Sequence, residues 1–311
     1  MIEMDRPREP WRQILASGQV RLGLGVLVVL TALAISHPIL RNGMWAGREI
    51  VYHPETGFDQ ALTHPTGVSA THWLGTDALG RDVFSSLTFS LTPALEVTVL
   101  AALAVGVLSL AAGSLAAYFR GWLDHALTSI GDGFTLLPPT IALLVVGLDR
   151  PSFGMVDAGL MFGILYGLGP ATLVIRSRAR AVVVKPFIDA ARVAGSGARR
   201  IIGAHLLPHL LPYAGVQMMA AGIGALATVA FIQYLGATDA SRVGLGSMIY
   251  SGLDFQPVLP TGFGSFNLGD YTARIGWTAL LSAGLAMTLI SVAFYLIAMG
   301  SRDAVHPGAR H

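Results

Sequence analysis

The chain has 311 residues, of which 12% are charged and 53% hydrophobic, and its mean hydropathy is +0.61, whereas soluble domains carry roughly 25% charged residues. That mixture leaves too little polar surface to cover a water-soluble fold and points to a bilayer, where apolar side chains can face outward. A net charge of +2 argues against nucleic-acid binding, and the absence of cysteine excludes disulfides, thiolate metal sites and cysteine nucleophiles.

A helix needs about 20 apolar residues to cross the hydrocarbon. Six uncharged runs approach that length, at 22–40, 97–119, 133–148, 158–175, 213–235 and 277–300. The expected architecture is therefore all-α and polytopic, with six transmembrane helices. The first run exceeds a secretory core and lacks a cleavage site, so it reads as a retained anchor. The third is the shortest. Extending it toward Leu127 would put Asp132 in the membrane, so Asp132 is expected to be interfacial or pore-facing, and Pro138-Pro139 predicts a kink. Small residues recur at Gly106, Gly113 and Ala117, at Gly215, Gly222 and Gly224, and at Gly276, Ala283 and Gly284. Close helix packing explains them better than a substrate path does.

Basic residues are retained on the cytoplasmic side. Arg6, Arg8, Arg12 and Arg21 precede the first run, and Arg176, Arg178, Arg180, Lys185, Arg192, Arg199 and Arg200 lie between the fourth and fifth. Six spans then place Arg120, Arg302 and Arg310 inside as well, and leave Arg41, Arg48, Arg81, Arg150, Arg242 and Arg274 outside. Both termini are expected in the cytoplasm. The predicted divisions are an N-terminal segment 1–21, the anchor 22–40, an outer loop 41–92, a core 93–300 with a cytoplasmic loop 176–212, and a tail 301–311. A second outer segment, 236–276, is rich in Gly, Pro and Asp and reads as a surface loop with short helices.

The loop from Lys185 to Pro212 is too long for a simple turn. Pro186 suits a helix entrance, Ile188, Ala191, Val193 and Ala194 supply an apolar side, and Gly195 and Gly197 permit a sharp bend. A second short helix is expected over Ala198 to Leu207, ended by Pro208 and Pro212. The pattern fits either an interfacial helix held on anionic lipid or a docking knob for a partner. The other distinctive segment is His72-Trp73-Leu74-Gly75-Thr76-Asp77-Ala78-Leu79-Gly80-Arg81-Asp82-Val83-Phe84-Ser85. Its glycine spacing invites a phosphate-loop reading, but Arg81-Asp82 replaces the required Lys-Ser/Thr pair.

The order Asp189-Ala190-Ala191, Gly195 four residues on, then nine residues and His205-Leu206-Leu207-Pro208 resembles the EAA loop of binding-protein-dependent ABC importer permeases, with Asp in place of the usual Glu. The segment around Leu74, Gly75, Thr76, Asp77, Gly80, Arg81, Asp82 and Ser85 is similar to the H-x-L-G-T-D-x-x-G-R-D-x-x-S signature of the dipeptide and oligopeptide (DppC/OppC) subfamily. Ala117-Tyr118-Phe119-Arg120-Gly121-Trp122-Leu123-Asp124 resembles its GYxGGWxD segment, with Ala117 and Arg120 where glycines are usual. The resemblance implies a type I importer (MetI-like) permease fold and half of a translocation pathway working by alternating access. It implies a homologous permease partner (DppB/OppB-like), two cytoplasmic ATPase subunits and an extracytoplasmic solute-binding protein. Asp189, Ala190, Ala191, Gly195, Leu207 and Pro208 would meet the ATPase.

Catalytic patterns are missing. No histidine pair shows the HExxH arrangement, His205 and His209 are four apart but have Pro208 between them and no placed carboxylate, and no G-x-S-x-G elbow occurs. No metal or cofactor is expected. The single lysine, Lys185, is followed by proline, so no Walker A motif exists and ATP must be hydrolysed by another chain. The rival reading is a stand-alone secondary transporter or channel. Ionisable residues inside the spans would mark one, and only Glu96 and Asp132 come close.

Overall fold

The computed structural model describes residues 16–62, 64–150, 153–237, 243–253 and 277–305. The expectations for Arg6, Arg8, Arg12, Arg242, Arg274 and Arg310, and for most of the loop 236–276, lie outside the described residues. Within them the regular structure is helical apart from one isolated bridge between Thr76 and Asp82. The α-helices of eight residues or more are α1 (Gly18–Asn42), α2 (Val83–Phe119), α3 (Gly121–Leu136), α4 (Pro139–Asp149), α5 (Met155–Tyr166), α6 (Thr172–Val183), α7 (Pro186–Val193), α8 (Leu207–Tyr234), α9 (Leu245–Leu253) and α10 (Trp277–Val305). Five stretches are long and apolar enough to cross a membrane: Gly18–Asn42, Val83–Phe119, Met155–Val183, Ala198–Tyr234 and Trp277–Arg302. The pair α3–α4 makes a sixth if its two parts, bent by 73°, count as one span. Six spans agree with the hydropathy.

The helices outrun the apolar stretches because hydroxyls can be satisfied locally. In α2 the hydroxyls of Thr88, Ser90 and Thr98 donate to the carbonyls of Phe84, Ser86 and Ala94 at 3.0, 2.6 and 2.6 Å, so the helix starts at Val83 although its uncharged run begins at Val97. Prolines account for the breaks. Pro138 forces Leu137 into an extended conformation, and Pro139 opens α4 at its first turn. Pro170 has no N–H to donate, and a π-helical turn, Gly167–Ala171, joins α5 to α6 there; the Thr172 hydroxyl takes up the Gly167 carbonyl at 2.6 Å. The hydropathy reading had carried the fourth span straight through this point. The second hairpin helix expected to end at Pro208 instead continues: a helical turn, Ala198–Arg200, passes through a second π-helical turn, Ile201–Leu206, into α8. The wider turn absorbs the donor that Pro208 lacks, so the proline bends the chain without stopping it.

The central helix is α2, which packs against α1, α3, α5, α6, α8 and α10. Its buried face carries Thr98, Ala101, Val105, Ser109, Ala116 and Ala117. One apolar cluster joins α1, α2, α9 and α10 around Leu91 and Ile290. Another joins α2, α4, α5 and α8 around Val105, Phe162 and Ile232. The third, around Ile175, Leu206 and Leu210, closes the end of the bundle that carries α7. Outward faces remain apolar, as at Val28, Val107, Leu136 and Leu285, which costs nothing against lipid or another membrane subunit.

A glycine seam sets the α2–α5 approach. A Cβ at Gly159 would stand 3.1 Å from Val97, at Gly163 2.6 Å from Ala104 Cβ, and at Gly167 3.2 Å from Val105 and Leu108. This four-residue spacing was not among the small-residue clusters picked out of the sequence. Of those, Gly106, Gly113, Gly222 and Gly224 do meet neighbours closely, whereas Gly215 and Gly284 face open space. Gly163→Ala is therefore expected to cost about 1–3 kcal/mol through overpacking and to lower the melting temperature of the detergent-purified chain. Gly284→Ala should leave it unchanged or slightly raised, and equal melting of the two would remove the seam from the argument.

Candidate functional site

The segment after α6 is a closed hairpin. Lys185 caps α7 and Pro186 occupies its first turn. At the other end Ser196 N–H donates to Ala191 O at 3.0 Å and Gly195 N–H to Arg192 O at 2.9 Å, with Gly195 at φ +78°. That is a Schellman closure, and its left-handed residue is the one that favours glycine. The bend expected at Gly195 is thus present and has a defined hydrogen-bond pattern.

Only part of the expected apolar side is covered. Ile188 is fully buried, but Ala191 is half-buried, Ala194 exposed and Val193 91% exposed. Asp189 and Ala190 are exposed, and a Cβ at Gly195 would meet nothing within 4 Å. Leu207 is half-buried and Pro208 exposed at the start of α8. The Phe187 ring stacks on His209 at 5.4 Å and lies 6.5 Å from His205, so the two histidines seat the hairpin. His209 Nδ1 also donates to the His205 carbonyl at 2.8 Å. Arg192 donates to Asp189 at 2.9 Å and lies over the Tyr118 ring at 5.6 Å, tying α7 to the end of α2. Similarly, Arg178 lies over Tyr213 at 4.8 Å, between α6 and α8. The hairpin is held rigidly at its base and presents Asp189, Ala190, Val193 and Gly195 outward.

At the opposite end of α2 the residues of the second motif form a compact cap. Asp77 Oδ1 accepts from the backbones of Leu79 and Arg81 at 3.0 and 2.9 Å, and its Oδ2 accepts from Arg81 Nε at 2.8 Å. Asp82 is the N-cap of α2: Oδ1 accepts from Ser85 N–H at 2.7 Å, while Oδ2 pairs with His72 Nδ1 at 2.8 Å. Thr76 Oγ1 accepts from Thr66 N–H at 2.9 Å, and the Ser85 hydroxyl donates to Tyr52 O at 2.6 Å. Gly75 and Gly80 both have positive φ, and a side chain at Gly80 would run into the Phe58 ring. Leu74 packs on the α1–α2–α9–α10 cluster. The polar side chains of the motif are thus bonded within the chain, which leaves this loop no free cradle for phosphate.

Burial pushes the Asp82 carboxyl above the usual carboxylate range, against the opposing pull of Ser85 N–H and His72. The Ala61 N–H holds Asp59, on the other side of the His72 ring, below that range. Among the described residues no three His, Cys, Asp or Glu side chains converge as a metal set. One ionic contact joins residues more than fifty positions apart in the chain. Asp124, buried in the first turn of α3, accepts a two-point fork from Arg176 at 2.5 and 3.0 Å and a further bond from Arg180. The four-residue arginine spacing on α6 and the aspartate that closes the GYxGGWxD-like segment give no sign of the pairing in the sequence, because the partners lie 52 residues apart.

Residues 109–311 match the family described as binding-protein-dependent transport system inner membrane component. The chain is 26% identical over 304 residues to the dipeptide transport system permease protein DppC of Alkalihalophilus pseudofirmus, covering 96% of this chain and 89% of that protein. It is also 26% identical to the glutathione transport system permease protein GsiD of Pectobacterium atrosepticum, with 96% and 90% covered. The oligopeptide transport system permease protein OppC of Mycobacterium tuberculosis matches at 26%, covering 80% of each chain.

Asp82→Ala removes a helix cap worth about 1–2 kcal/mol. Hydrogen exchange at the amides of Val83, Ser85 and Ser86 and in the loop before them should accelerate by about 5–30-fold, while amides near Ala101 and Ala116 keep their protection. Unchanged exchange in the loop would show that this carboxylate does not hold it.

Proposed function

The chain belongs to the family of binding-protein-dependent transport system inner membrane components and is a multi-pass permease subunit of an ATP-driven ABC importer; from that premise we propose that it serves the import of di- or oligopeptides or related small solutes. The relatives named for dipeptide, oligopeptide and glutathione transport support this substrate class. The other half of the pathway is a homologous permease subunit. Two ATPase subunits bind the hairpin side and an extracytoplasmic solute-binding protein the opposite side. Both termini, the segment 1–21 and the tail 301–311, lie in the cytoplasm. The permease core spans 93–300, with its coupling loop at 176–212 and the outer loop at 41–92.

One observation carries the coupling role: a hairpin rigid at its base keeps Val193, an apolar residue, 91% exposed beside Asp189 and a left-handed Gly195. Val193 would be as exposed beside lipid as beside a protein; membership of a family whose ATPase is a separate subunit favours a protein groove. Asp189, Ala190, Ala191 and Gly195 form the face the ATPase grips, and Leu207 and Pro208 set the start of the helix that receives the motion. ATP-driven closure moves the hairpin, provided the grip differs between the two states. The signature from Leu74 to Ser85 braces the outer end of α2.

Orientation has a direct test in a chain without cysteine. In intact cells stripped of any outer membrane, a membrane-impermeant maleimide should label Val68→Cys, at a position 68% exposed, and should label Val193→Cys only after permeabilisation. The reverse pattern inverts the topology and removes the coupling role.

A second test addresses transport. In vesicles carrying the assembled importer, uptake of a labelled mixture of dipeptides and tripeptides should require ATP. Gly195→Val puts a β-branched residue in the left-handed region, at about 1–2 kcal/mol, and uptake per ATP hydrolysed should fall with membrane insertion intact. Normal uptake by that variant would take the role from Gly195. Uptake by this chain alone, driven by an ion gradient, would favour the secondary-transporter reading.

A further inference from the structure

A lever needs a second joint, where its movement enters the rest of the bundle. α7 follows α6 after only Val184 and Lys185, so a push on the hairpin acts first along α6. The last two turns of α6 present Arg176 and Arg180 to one carboxylate, Asp124 of α3, through the Nε and Nη2 of Arg176 and the Nη2 of Arg180. Asp124 is 5% exposed, and the Arg176 side chain is also largely covered. A planar guanidinium fork on a carboxylate fixes orientation as well as distance.

The same two elements meet a second time deeper in the bundle. Gly169, in the π-helical turn that leads into α6, lies against Phe134, where a Cβ would approach the Phe134 Cβ to 3.1 Å. Phe134 is in the last turn of α3, immediately before the 73° bend into α4. Two contacts of different kinds therefore fasten α3 to the α6 unit, ionic at the hairpin end and steric beside the break. The bent pair beyond them carries Leu136, Ile141, Val145 and Leu148, all strongly exposed on an apolar face.

We propose that Asp124 is a positioning residue for transport: its carboxylate makes the bent span α3–α4 travel with α6 whenever the hairpin is moved. The inference rests on the coupling role given to the hairpin, and it adds the element that receives the motion. A carboxylate gripped by two arginines one turn apart resists both sliding and rotation of α6 against α3. The backbone turn between α2 and α3, at Arg120 and Gly121, has positive φ at both residues and no Cβ contact at Gly121 within 4 Å.

Spin labels test the idea. Leu148→Cys at the far end of α4 and Ile39→Cys on α1 are both 66% exposed, and α1 packs on α2 and α10 rather than on the bent pair. The assembled importer, reconstituted with its partner subunits, is compared without nucleotide and with ATP plus vanadate. The inter-label distance should shift with nucleotide, lose that shift in Asp124→Asn while ATP hydrolysis persists, and regain it in Asp124→Glu. Should Asp124→Asn fail to assemble, Arg180→Gln, which spares the Arg176 fork, should show a reduced shift.

A full shift in either Asn or Gln variant overturns the proposal. So does the absence of any shift in the unsubstituted pair, or joint loss of assembly and hydrolysis in both variants, which would make the contact purely structural. The hairpin reading is judged separately. If Gly195→Val uncouples uptake but Asp124→Asn keeps the shift, only the role of Asp124 falls.

Discussion

Hydrocarbon offers no hydrogen-bond partner to a peptide group, and that constraint governs every irregularity in this fold. Three prolines are answered locally: Pro139 starts a new helix, Pro170 is accommodated by a π-helical turn in which the Gly167 carbonyl takes the Thr172 hydroxyl, and Pro208 follows a second such turn, whereas Pro212, expected to end a helix, lies inside α8 as Pro38 and Pro93 lie inside α1 and α2. The breaks are consequently well-defined joints rather than loose segments. Two of them, the bend after Leu136 and the turn at Gly169, lie against each other. A bundle whose helices were all continuous would have no such internal hinge.

Packing in lipid gains little from the hydrophobic effect, so close approach of small residues has to do the work. Gly159, Gly163 and Gly167 let α5 lie on α2, and Gly113 brings α2 against Ile175 and the Arg176 backbone of α6. These contacts make α2 the central post of the bundle. One end is held by Asp82, His72 and Ser85, and the opposite end meets Arg192 through Tyr118. The distribution of polar chemistry follows from this. Most charges lie toward the two ends, where several are bonded to backbone or to one another, and the middle is left largely to apolar and small side chains.

The two motifs that carry the family resemblance differ in what their polar groups do. Thr76, Asp77, Arg81, Asp82 and Ser85 spend theirs inside the chain. The hairpin differs: its backbone is closed by the Schellman pattern, Asp189 pairs with Arg192 at the surface, and Val193 is left to the surroundings. A segment that satisfies itself is a brace, and one that finishes its backbone but not its surface is built to be met.

Composition alone determined that this chain belongs in a bilayer, and the uncharged runs located six spans, because insertion into hydrocarbon depends on local hydropathy and little else. Local chemistry likewise exposed the bend at Gly195 and the kink at Pro138-Pro139, since positive φ and a missing N–H are properties of single residues. The sequence left undecided where helices really begin, how Pro170 and Pro208 are absorbed, and which glycines meet a neighbour: Gly163 does and Gly284 does not. It also hid the grip of Asp124 on Arg176 and Arg180. Those features depend on which surfaces face each other across dozens of residues, and only the folded bundle brings them together.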